Sequence, residues 1–289
     1  EQDLTPAVKK KKVMVVGAGP AGIRCALTAS RRGHDVTLYD RMPVIGGMVY
    51  PGSRPAFKDE LKLILKWWET ELAESTVKVN LSTEVTPALV DREAPDAIVI
   101  SVGGKPIKPP IPGIDKPHVV CAIDVMRDVR AFKGKKAAVI GGGEVGCETA
   151  CHLCDNGFEQ VTVIEMLPSV MALSSKITKN HMELLLEARP ITLMEGTPVT
   201  AITDEGVEVK LKTGKLWGVD ADLVVYAVGV SADTQSSQSS GPAMKVTAKS
   251  GLIAELSMKA NEVHIIGDCC HVARILEATE AGEKIGRWL

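Results

Sequence analysis

The stretch Val13-Met-Val-Val-Gly-Ala-Gly-Pro-Ala-Gly22 decides the fold of this chain. Its four apolar residues predict a short buried strand, and the glycines at positions 17, 19 and 22 predict a tight turn into a helix. The segment His34-Asp-Val-Thr-Leu-Tyr-Asp40 then ends in a carboxylate, 23 residues after Gly17. This spacing is close to the roughly 20 residues expected of a dinucleotide-binding βαβ unit.

A second copy of the pattern follows later in the chain. It reads Ala137-Ala-Val-Ile-Gly-Gly-Gly-Glu-Val-Gly146, and Glu165 ends the next apolar segment, 24 residues after Gly141. One copy alone would be weak evidence, because an ordinary βα turn can contain the same glycines. Two copies with matching spacing predict an α/β chain of two Rossmann-like dinucleotide-binding domains.

Each residue type in the pattern has a physical reason. In each copy the first glycine allows the tight turn, and the second removes the Cβ that would keep a pyrophosphate from the backbone. The third glycine lets the helix lie close to the strand, so that its N-terminal N–H groups and positive dipole end face the diphosphate. Asp40 and Glu165 can each accept hydrogen bonds from a ribose diol.

Size, charge and hydropathy narrow the class of protein. The chain has 289 residues, of which 45% are hydrophobic, so two domains with substantial cores are expected. The formal charge is −2 and the basic run Lys9–Lys12 is short, so no nucleic acid partner is predicted. The longest apolar stretches are far short of the roughly 20 residues of a transmembrane helix, so no membrane partner is predicted either.

The cysteine count bears on compartment and metal binding. Seven cysteines are an odd number in a chain without a secretory signal, which favours reduced thiols and a cytoplasmic location. The CxxxCxxC spacing of Cys147, Cys151 and Cys154 is compatible with an iron–sulfur cluster. These residues nevertheless share one face of the predicted helix, and the preferred interpretation is buried packing, with no metal ligand in the chain.

Two changes in composition divide the chain. Five prolines between Pro106 and Pro117 predict one boundary, and the Ser- and Gln-rich stretch Ser231–Ser240 predicts a mobile loop and a second boundary. The remainder, Met244–Leu289, is too short for a third domain and is expected to complete the first. The second domain, 113–230, is therefore predicted to be inserted between 10–112 and 231–289, with 1–9 as a linker tail. The remainder also contains Gly267-Asp268 after a strand, which puts a carboxylate where ligands bind in open α/β sheets.

These motifs resemble a known family. Together with Gly46-Gly47, Ser101-Val-Gly-Gly-Lys-Pro106 and Gly267-Asp-Cys-Cys-His-Val-Ala-Arg274, they are similar to the two-dinucleotide-binding flavoprotein reductases. The closer resemblance is to the C-terminal part of the 2,4-dienoyl-CoA reductase and 2-enoate reductase (NADH:flavin oxidoreductase) family. The resemblance implies FAD in the first domain and NAD in the second. It also implies that the linker-like start at Glu1 follows a missing N-terminal barrel domain of the same polypeptide, with FMN and an iron–sulfur cluster; a homo-oligomer stays open.

Carried over position by position, the resemblance implies two sets of cofactor-binding residues. For FAD they are Gly17, Gly19, Pro20, Ala21, Gly22, Asp40, Arg41, Gly46, Gly47, Met48, Val85, Ser101, Gly103, Gly104, Gly267, Asp268 and Ala278. For NAD they are Gly141, Gly143, Glu144, Val145, Gly146, Glu165 and Gly229. The chain departs from the family at Met48, where many relatives have glutamine. It also departs from the disulfide reductases of this fold, because Met42–Lys58 contains no redox cysteine pair.

The predicted function is hydride transfer from NADH to FAD, as part of a larger enoate or enoyl-CoA reductase. The cofactors carry this chemistry, so no catalytic acid or base is predicted. NADH is preferred over NADPH because the Glu165 carboxylate repels a 2′-phosphate. Two alternatives stay open: a stand-alone NADH-dependent ferredoxin or quinone reductase, and a nucleotide-binding module without redox activity.

Overall fold

The computed structural model describes residues 3–237, 245–248 and 251–289. The described residues form two compact units. The first unit takes its residues from Glu1–Ser53, Asp59–Lys105 and Val230–Leu289, and the second from Arg54–Lys58 and Pro106–Gly229. The chain therefore passes between the units at four positions, two of which enclose a segment of only five residues. The composition of the chain predicts two such passages, with the first boundary at 112, whereas the first unit ends at Lys105 before the longer insertion.

The helices and strands alternate along most of the chain. The helices are α1 Pro20–Arg31, α2 Val49–Gly52, α3 Leu61–Glu74, α4 Pro87–Glu93, α5 Ala122–Arg127, α6 Glu144–Asp155, α7 Lys176–Glu187, α8 Leu252–Ser257 and α9 Ile275–Trp288. The strands are β1 Lys12–Val16, β2 Asp35–Tyr39, β3 Lys78–Asn80, β4 Ala97–Ile100, β5 Lys105–Pro106, β6 Val119–Cys121, β7 Lys136–Ile140, β8 Gln160–Glu165, β9 Ile191–Glu195, β10 Val199–Thr203, β11 Gly206–Lys210, β12 Leu216–Asp220, β13 Leu223–Tyr226, β14 Val230–Ser231, β15 Thr234–Ser237, β16 Lys245–Ala248 and β17 Glu262–Ile265. The alternation confirms the predicted α/β class.

The first unit is built on a parallel sheet in the order β17-β4-β1-β2-β3. Its central strands read as almost continuous apolar runs because both faces of the sheet are covered. Val13 and Val15 point to the face covered by α1, α3 and α9, and Met14 and Val16 point to the face covered by α4 and α8. The strand order reverses beside β1, and ligands of open α/β sheets bind outside the carboxyl ends of strands at such a position.

The second unit repeats this plan with a different cover. Its parallel sheet has the order β6-β13-β7-β8-β9. One face packs against α5, α6 and α7, with Val139 and Val163 among the buried residues. The antiparallel sheet β10-β11-β12 covers the other face, where Val207 and Val209 meet Ile140. The fingerprint helix α6 also carries Cys147 and Cys151, which are fully buried in this core.

The structure corrects the predicted loop at Ser231–Ser240. Residues Thr234–Ser237 form strand β15, which pairs antiparallel with β16. Polar composition alone misled the prediction, because backbone pairing does not require apolar side chains. Residues 238–240 of the predicted loop lie outside the described residues, as do Met244 and Glu1.

None of the helices in the part of the chain that the structure describes combines the length and apolar character that a membrane span requires.

Candidate dinucleotide-binding sites

The first fingerprint turn closes against the neighbouring strands of its sheet. Gly17 has φ +107°, and its N–H donates to Tyr39 O at 2.8 Å. A Cβ at this position would overlap the carbonyl oxygen of Ser101. The turn therefore requires glycine for its backbone conformation and for its close approach to the end of β4.

The second turn has the same geometry. Gly141 has φ +106°, and its N–H donates to Ile164 O at 2.9 Å. A Cβ would lie 2.6 Å from Ala227 O, which follows β13 as Ser101 follows β4. The two copies found in the sequence are thus two copies of one structure.

The third glycine of each copy serves helix packing. A Cβ on Gly22 would overlap Gly17 O, and a Cβ on Gly146 would overlap Gly141 O. Any side chain at either position would push the helix away from its turn. Both glycines are therefore explained by the protein's own packing.

The middle glycines have no such explanation. Gly19 and Gly143 precede α1 and α6 with φ of −83° and −72°, which any residue can adopt. A Cβ on Gly19 would meet only Gly47 Cα at 3.8 Å, and a Cβ on Gly143 would meet nothing within 4 Å. Each therefore leaves open space in front of a helix N-terminus, where a diphosphate would fit and a side chain would obstruct it.

The two acidic residues make the same pair of hydrogen bonds in their respective units. Asp40 accepts from Ala18 N at 2.7 Å and Met42 N at 2.8 Å. Glu165 accepts from Gly142 N and Leu167 N, both at 2.7 Å. Each carboxylate oxygen takes one backbone N–H and keeps further lone-pair capacity, so each acid can hold its turn and still accept a ribose hydroxyl.

The first residues of α1 and α6 offer backbone donors at the two turns. Pro20 and Ala21 open α1, and Glu144 and Val145 open α6. N–H groups in the first turn of a helix have no partner within the helix, although Pro20 itself has no N–H. Glu144 and Val145 are exposed, with Val145 retaining 47% of its accessible surface.

Several other predicted FAD residues lie around the first turn. Gly46 N donates to Ala18 O at 2.7 Å, and a Cβ on Gly47 would come within 2.9 Å of Gly19 Cα. Arg41 and Met48, both exposed, lie in the same segment, which follows β2.

The ends of β4 and β17 supply the remaining predicted glycines and one carboxylate. Gly103 and Gly104 follow β4, and a Cβ on Gly104 would lie 3.6 Å from Asp268 Cβ. A Cβ on Gly267 would lie 3.1 Å from Ala21 Cβ. Burial raises the pKa of Asp268, and its Oδ1 accepts from Ala273 N at 3.2 Å.

Four of the predicted cofactor-binding residues pack or form hydrogen bonds within the protein. The Val85 side chain is buried in the core of the first unit, and Ala278, in the first turn of α9, packs partly against that core. The Ser101 hydroxyl lies 3.0 Å from Val16 O and 2.9 Å from Gly17 O, which makes it a support of the turn. Gly229 follows β13 with φ +102° and accepts from Ile107 N at 3.0 Å.

Two carboxylates near the second site were not predicted. Glu195 ends β9 directly beside Glu165, and its Oε1 accepts from Val170 N at 2.8 Å. Glu148, one turn into α6, is buried and forms an ion pair with Lys58. Neither belongs to the glycine motif, so the spacing of that motif could not indicate either residue.

The two sheets and the two glycine turns define the class: an α/β protein with two dinucleotide-binding units. The family model for pyridine nucleotide-disulphide oxidoreductases matches residues 11–284. The chain therefore belongs to that family, which implies binding of FAD and NAD(P)H. The predicted resemblance is confirmed.

Similar proteins match the chain from end to end but are themselves longer. An NADH oxidase of Thermoanaerobacter brockii is 33% identical over 286 residues, which cover 98% of this chain and 42% of the relative. A bilirubin reductase of Mediterraneibacter gnavus (strain CC55_001C) is 33% identical over 283 residues, covering 98% of this chain and 41% of the relative. The solved structure of a 2-naphthoyl-CoA reductase in complex with 2-naphthoyl-CoA is 32% identical with a TM-score of 0.89, covering 99% of this chain and 41% of that one. The chain thus spans about two fifths of the length of these proteins.

Proposed function

We propose that this chain is the part of a larger flavoprotein reductase that takes hydride from NADH onto FAD. In this proposal the first unit holds FAD and the second holds NADH. When bound, the nicotinamide supplies a hydride and the flavin accepts it. The chain's own residues bind and orient the two cofactors, and no side chain is required as nucleophile or proton carrier.

The observation that carries the proposal is the open space beside Gly19 and Gly143. The other two glycines of each motif are required by clashes within the protein, whereas these two are not. A glycine that is unnecessary for backbone conformation and packing is explained by a ligand that approaches the backbone at that point.

The side chains around the turns have separate roles in this proposal. Asp40 and Asp268 would accept hydroxyl groups of FAD, and Glu165 would accept the ribose of NADH. Glu165 also favours NADH over NADPH, because a buried carboxylate would repel the 2′-phosphate of NADPH. The NADH preference is therefore a property of the second unit alone.

The decisive experiment compares two substitutions three residues apart. Gly143→Ala places a methyl group in open space, so the protein should fold normally. Its affinity for NADH should fall by roughly tenfold or more, because the methyl group obstructs the diphosphate. Gly146→Ala should instead destabilise the second unit, because its Cβ overlaps Gly141 O. Anaerobic flavin reduction and thermal unfolding distinguish these effects. Unchanged NADH affinity in a folded Gly143→Ala protein would contradict the proposal.

The acceptor beyond FAD belongs to the larger protein in this proposal. The relatives are more than twice as long as this chain, which supports a further domain with FMN and an iron–sulfur cluster in the same polypeptide. The 289-residue chain should therefore reduce a soluble dye with NADH and leave enoates and enoyl thioesters unreduced. Reduction of an enoyl thioester by this chain alone would contradict the proposed division of labour.

A further inference from the structure

We propose that Glu195 is a second specificity-determining residue, which acts with Glu165 to exclude the 2′-phosphate of NADPH. This inference rests on the proposed function and extends it, because Glu195 lies outside the glycine motif and its acid. It concerns the second unit only.

The position of Glu195 follows from the sheet. Strands β8 and β9 are parallel neighbours, and their last residues, Glu165 and Glu195, are register partners. Both carboxylates consequently stand at the carboxyl edge of the sheet, the same edge from which Gly141 leaves β7. In parallel α/β sheets this is the edge at which the nucleotide binds.

The two carboxylates hold one loop between them. Glu165 accepts from Leu167 N at 2.7 Å, and Glu195 accepts from Val170 N at 2.8 Å. The loop is also closed by its backbone, since Leu167 O accepts from Gly196 N at 2.8 Å and Met171 N donates to Gly142 O at 2.7 Å. The loop that follows the ribose-binding acid is therefore fixed at both ends, with a negative charge at each.

The charges around this loop favour a ligand without a 2′-phosphate. The loop itself, Met166-Leu-Pro-Ser-Val170, contains no basic residue. Lys179 reaches it, with Nζ 3.3 Å from Ser169 Oγ, but Glu183 lies 4.0 Å from the same ammonium group. A second ammonium group, that of Lys212, lies beside Gly196, where a Cβ would be 3.4 Å from its Nζ. Three carboxylates therefore stand near the loop against two ammonium groups, and the remaining negative charge would repel a phosphate dianion.

The field of both carboxylates also reaches the fingerprint helix. Burial raises the pKa of the Cys147 thiol to about 12, and the negative charges of Glu165 and Glu195 contribute to that shift. Cys147 lies in the first turn of α6, so the charges of Glu165 and Glu195 both extend to the start of that helix.

The test uses two non-redox ligands that differ only at the 2′ position. ADP-ribose and 2′-phospho-ADP-ribose are titrated calorimetrically into the full chain loaded with FAD. Glu195→Gln keeps an oxygen acceptor for Val170 N and removes the charge. We expect this variant to bind 2′-phospho-ADP-ribose roughly tenfold more tightly, and to bind ADP-ribose within about twofold of the unsubstituted protein.

Salt dependence gives a second readout. In the unsubstituted protein, raising the ionic strength should bring the affinity for 2′-phospho-ADP-ribose closer to that for ADP-ribose, because screening weakens the repulsion of the phosphate. The same rise in ionic strength should change the ratio of the two affinities less in Glu195→Gln. A purely structural role of Glu195 would not produce this difference.

Glu159→Gln is the matched control. Glu159 immediately precedes β8 at the opposite edge of the same sheet and pairs with Lys135 at 2.8 Å, so its substitution removes one equal charge far from the loop. The ratio of the two affinities should not change in this variant.

If Glu195→Gln also leaves that ratio unchanged while ADP-ribose binds, the inference is overturned and the proposed function stands. If the unsubstituted protein binds neither ligand, both the inference and the proposed NADH site are overturned.

Discussion

At the scale of single residues, the ion pair between Lys58 and Glu148 gives a prediction about stability. Burial raises the pKa of Glu148, and Lys58 opposes that shift. Removing one partner of a buried pair leaves an uncompensated charge. Because the Lys58 side chain is 30% exposed, we expect Lys58→Met to lower the free energy of unfolding by about 1–3 kcal/mol at pH 7.

The pH dependence of this loss identifies its cause. A carboxyl group with a raised folded-state pKa takes up a proton on folding, so stability falls as pH rises above its ordinary pKa of 4.5. In Lys58→Met this dependence should steepen, and the loss should shrink between pH 7 and pH 5 in urea unfolding. The exposed lysine Lys133, replaced by methionine, is the control. An equal loss at both pH values would exclude the buried carboxylate as the cause.

Burial of His34 predicts destabilisation in acid. His34 is only 3% exposed, its Nδ1 accepts from Lys11 N at 3.1 Å, and its Nε2 is buried without a hydrogen-bond partner among the described residues. Burial lowers its pKa below 6.5, and the charges of Arg32 and Lys11 add to this effect. The unfolded chain therefore binds the proton more readily, and stability is complete above pH 6.5 and declines below it.

Replacement of His34 should flatten this pH profile. We expect His34→Asn to lose less stability than the unsubstituted protein between pH 7.5 and pH 5.5, as measured by thermal unfolding. His181→Asn is the control, since His181 is exposed on α7. Some slope should persist, because burial also lowers the pKa of His152. A slope unchanged by His34→Asn would contradict the assignment.

At the scale of elements, the packing of α9 on α1 depends on a glycine. A Cβ on Gly282 would overlap Ala21 O, so the two helices meet at backbone distance. Gly282→Ala should separate them and destabilise the first unit by about 1–3 kcal/mol, as measured by chemical unfolding. Gly52→Ala, where a Cβ meets nothing within 4 Å, should change stability by less than about 1 kcal/mol. Equal effects of the two substitutions would argue against close packing at Gly282.

Helices and strands were predicted correctly where the local sequence pattern and the tertiary packing favour the same structure. The glycine turns predicted β1, α1, β7 and α6, because the same residues fix the turn and the packing. The pattern failed at Thr234–Ser237, a polar strand whose first residue is held by tertiary contacts. Thr234 is 5% exposed, and its hydroxyl donates toward the carbonyl oxygens of Cys269 and Cys270 at 3.1 and 3.2 Å. These residues are distant in sequence, so no local pattern could indicate the contact.

At the scale of the whole molecule, the thiols bear on how electrons pass through the chain. Five of the seven cysteines are buried, and Cys154 and Cys270 are partly exposed. Burial raises the pKa of all seven thiols, to about 12 at Cys25 and Cys151, which disfavours the nucleophilic thiolate. A thiol relay is therefore not expected in this member of a family named for disulphide chemistry.

Alkylation tests that expectation. Native protein treated with iodoacetamide should be modified slowly, first at Cys154 and Cys270, and should keep its rate of flavin reduction by NADH. The unfolded protein should expose all seven thiols. Loss of NADH-dependent reduction in parallel with alkylation would contradict a mechanism without thiols.

The sequence predicted the class of the fold and the two turns but not all of the geometry at each site. Spacing selected Asp40 and Glu165 as candidates, yet it could not indicate that each also binds two backbone N–H groups of its own turn and loop. The role of Glu195 depends on the register of β9 with β8, which is a tertiary property. Membership of Arg54–Lys58 in the second unit likewise depends on contacts such as that of Phe57 with Arg189, whose guanidinium lies 5.7 Å from the ring centroid.

The five-residue excursion Arg54–Lys58 has a consequence for biosynthesis. Phe57 and Lys58 leave the ribosome well before Glu148 and Arg189, the residues that they contact in the second unit. During translation these two side chains have no counterpart until the second unit is made, and Phe57 can pack against the core of that unit only then. Expression of 106–229 as an isolated polypeptide would omit that peptide, so a gene that fuses 54–58 to 106–229 through a linker is the better route to an autonomous second unit.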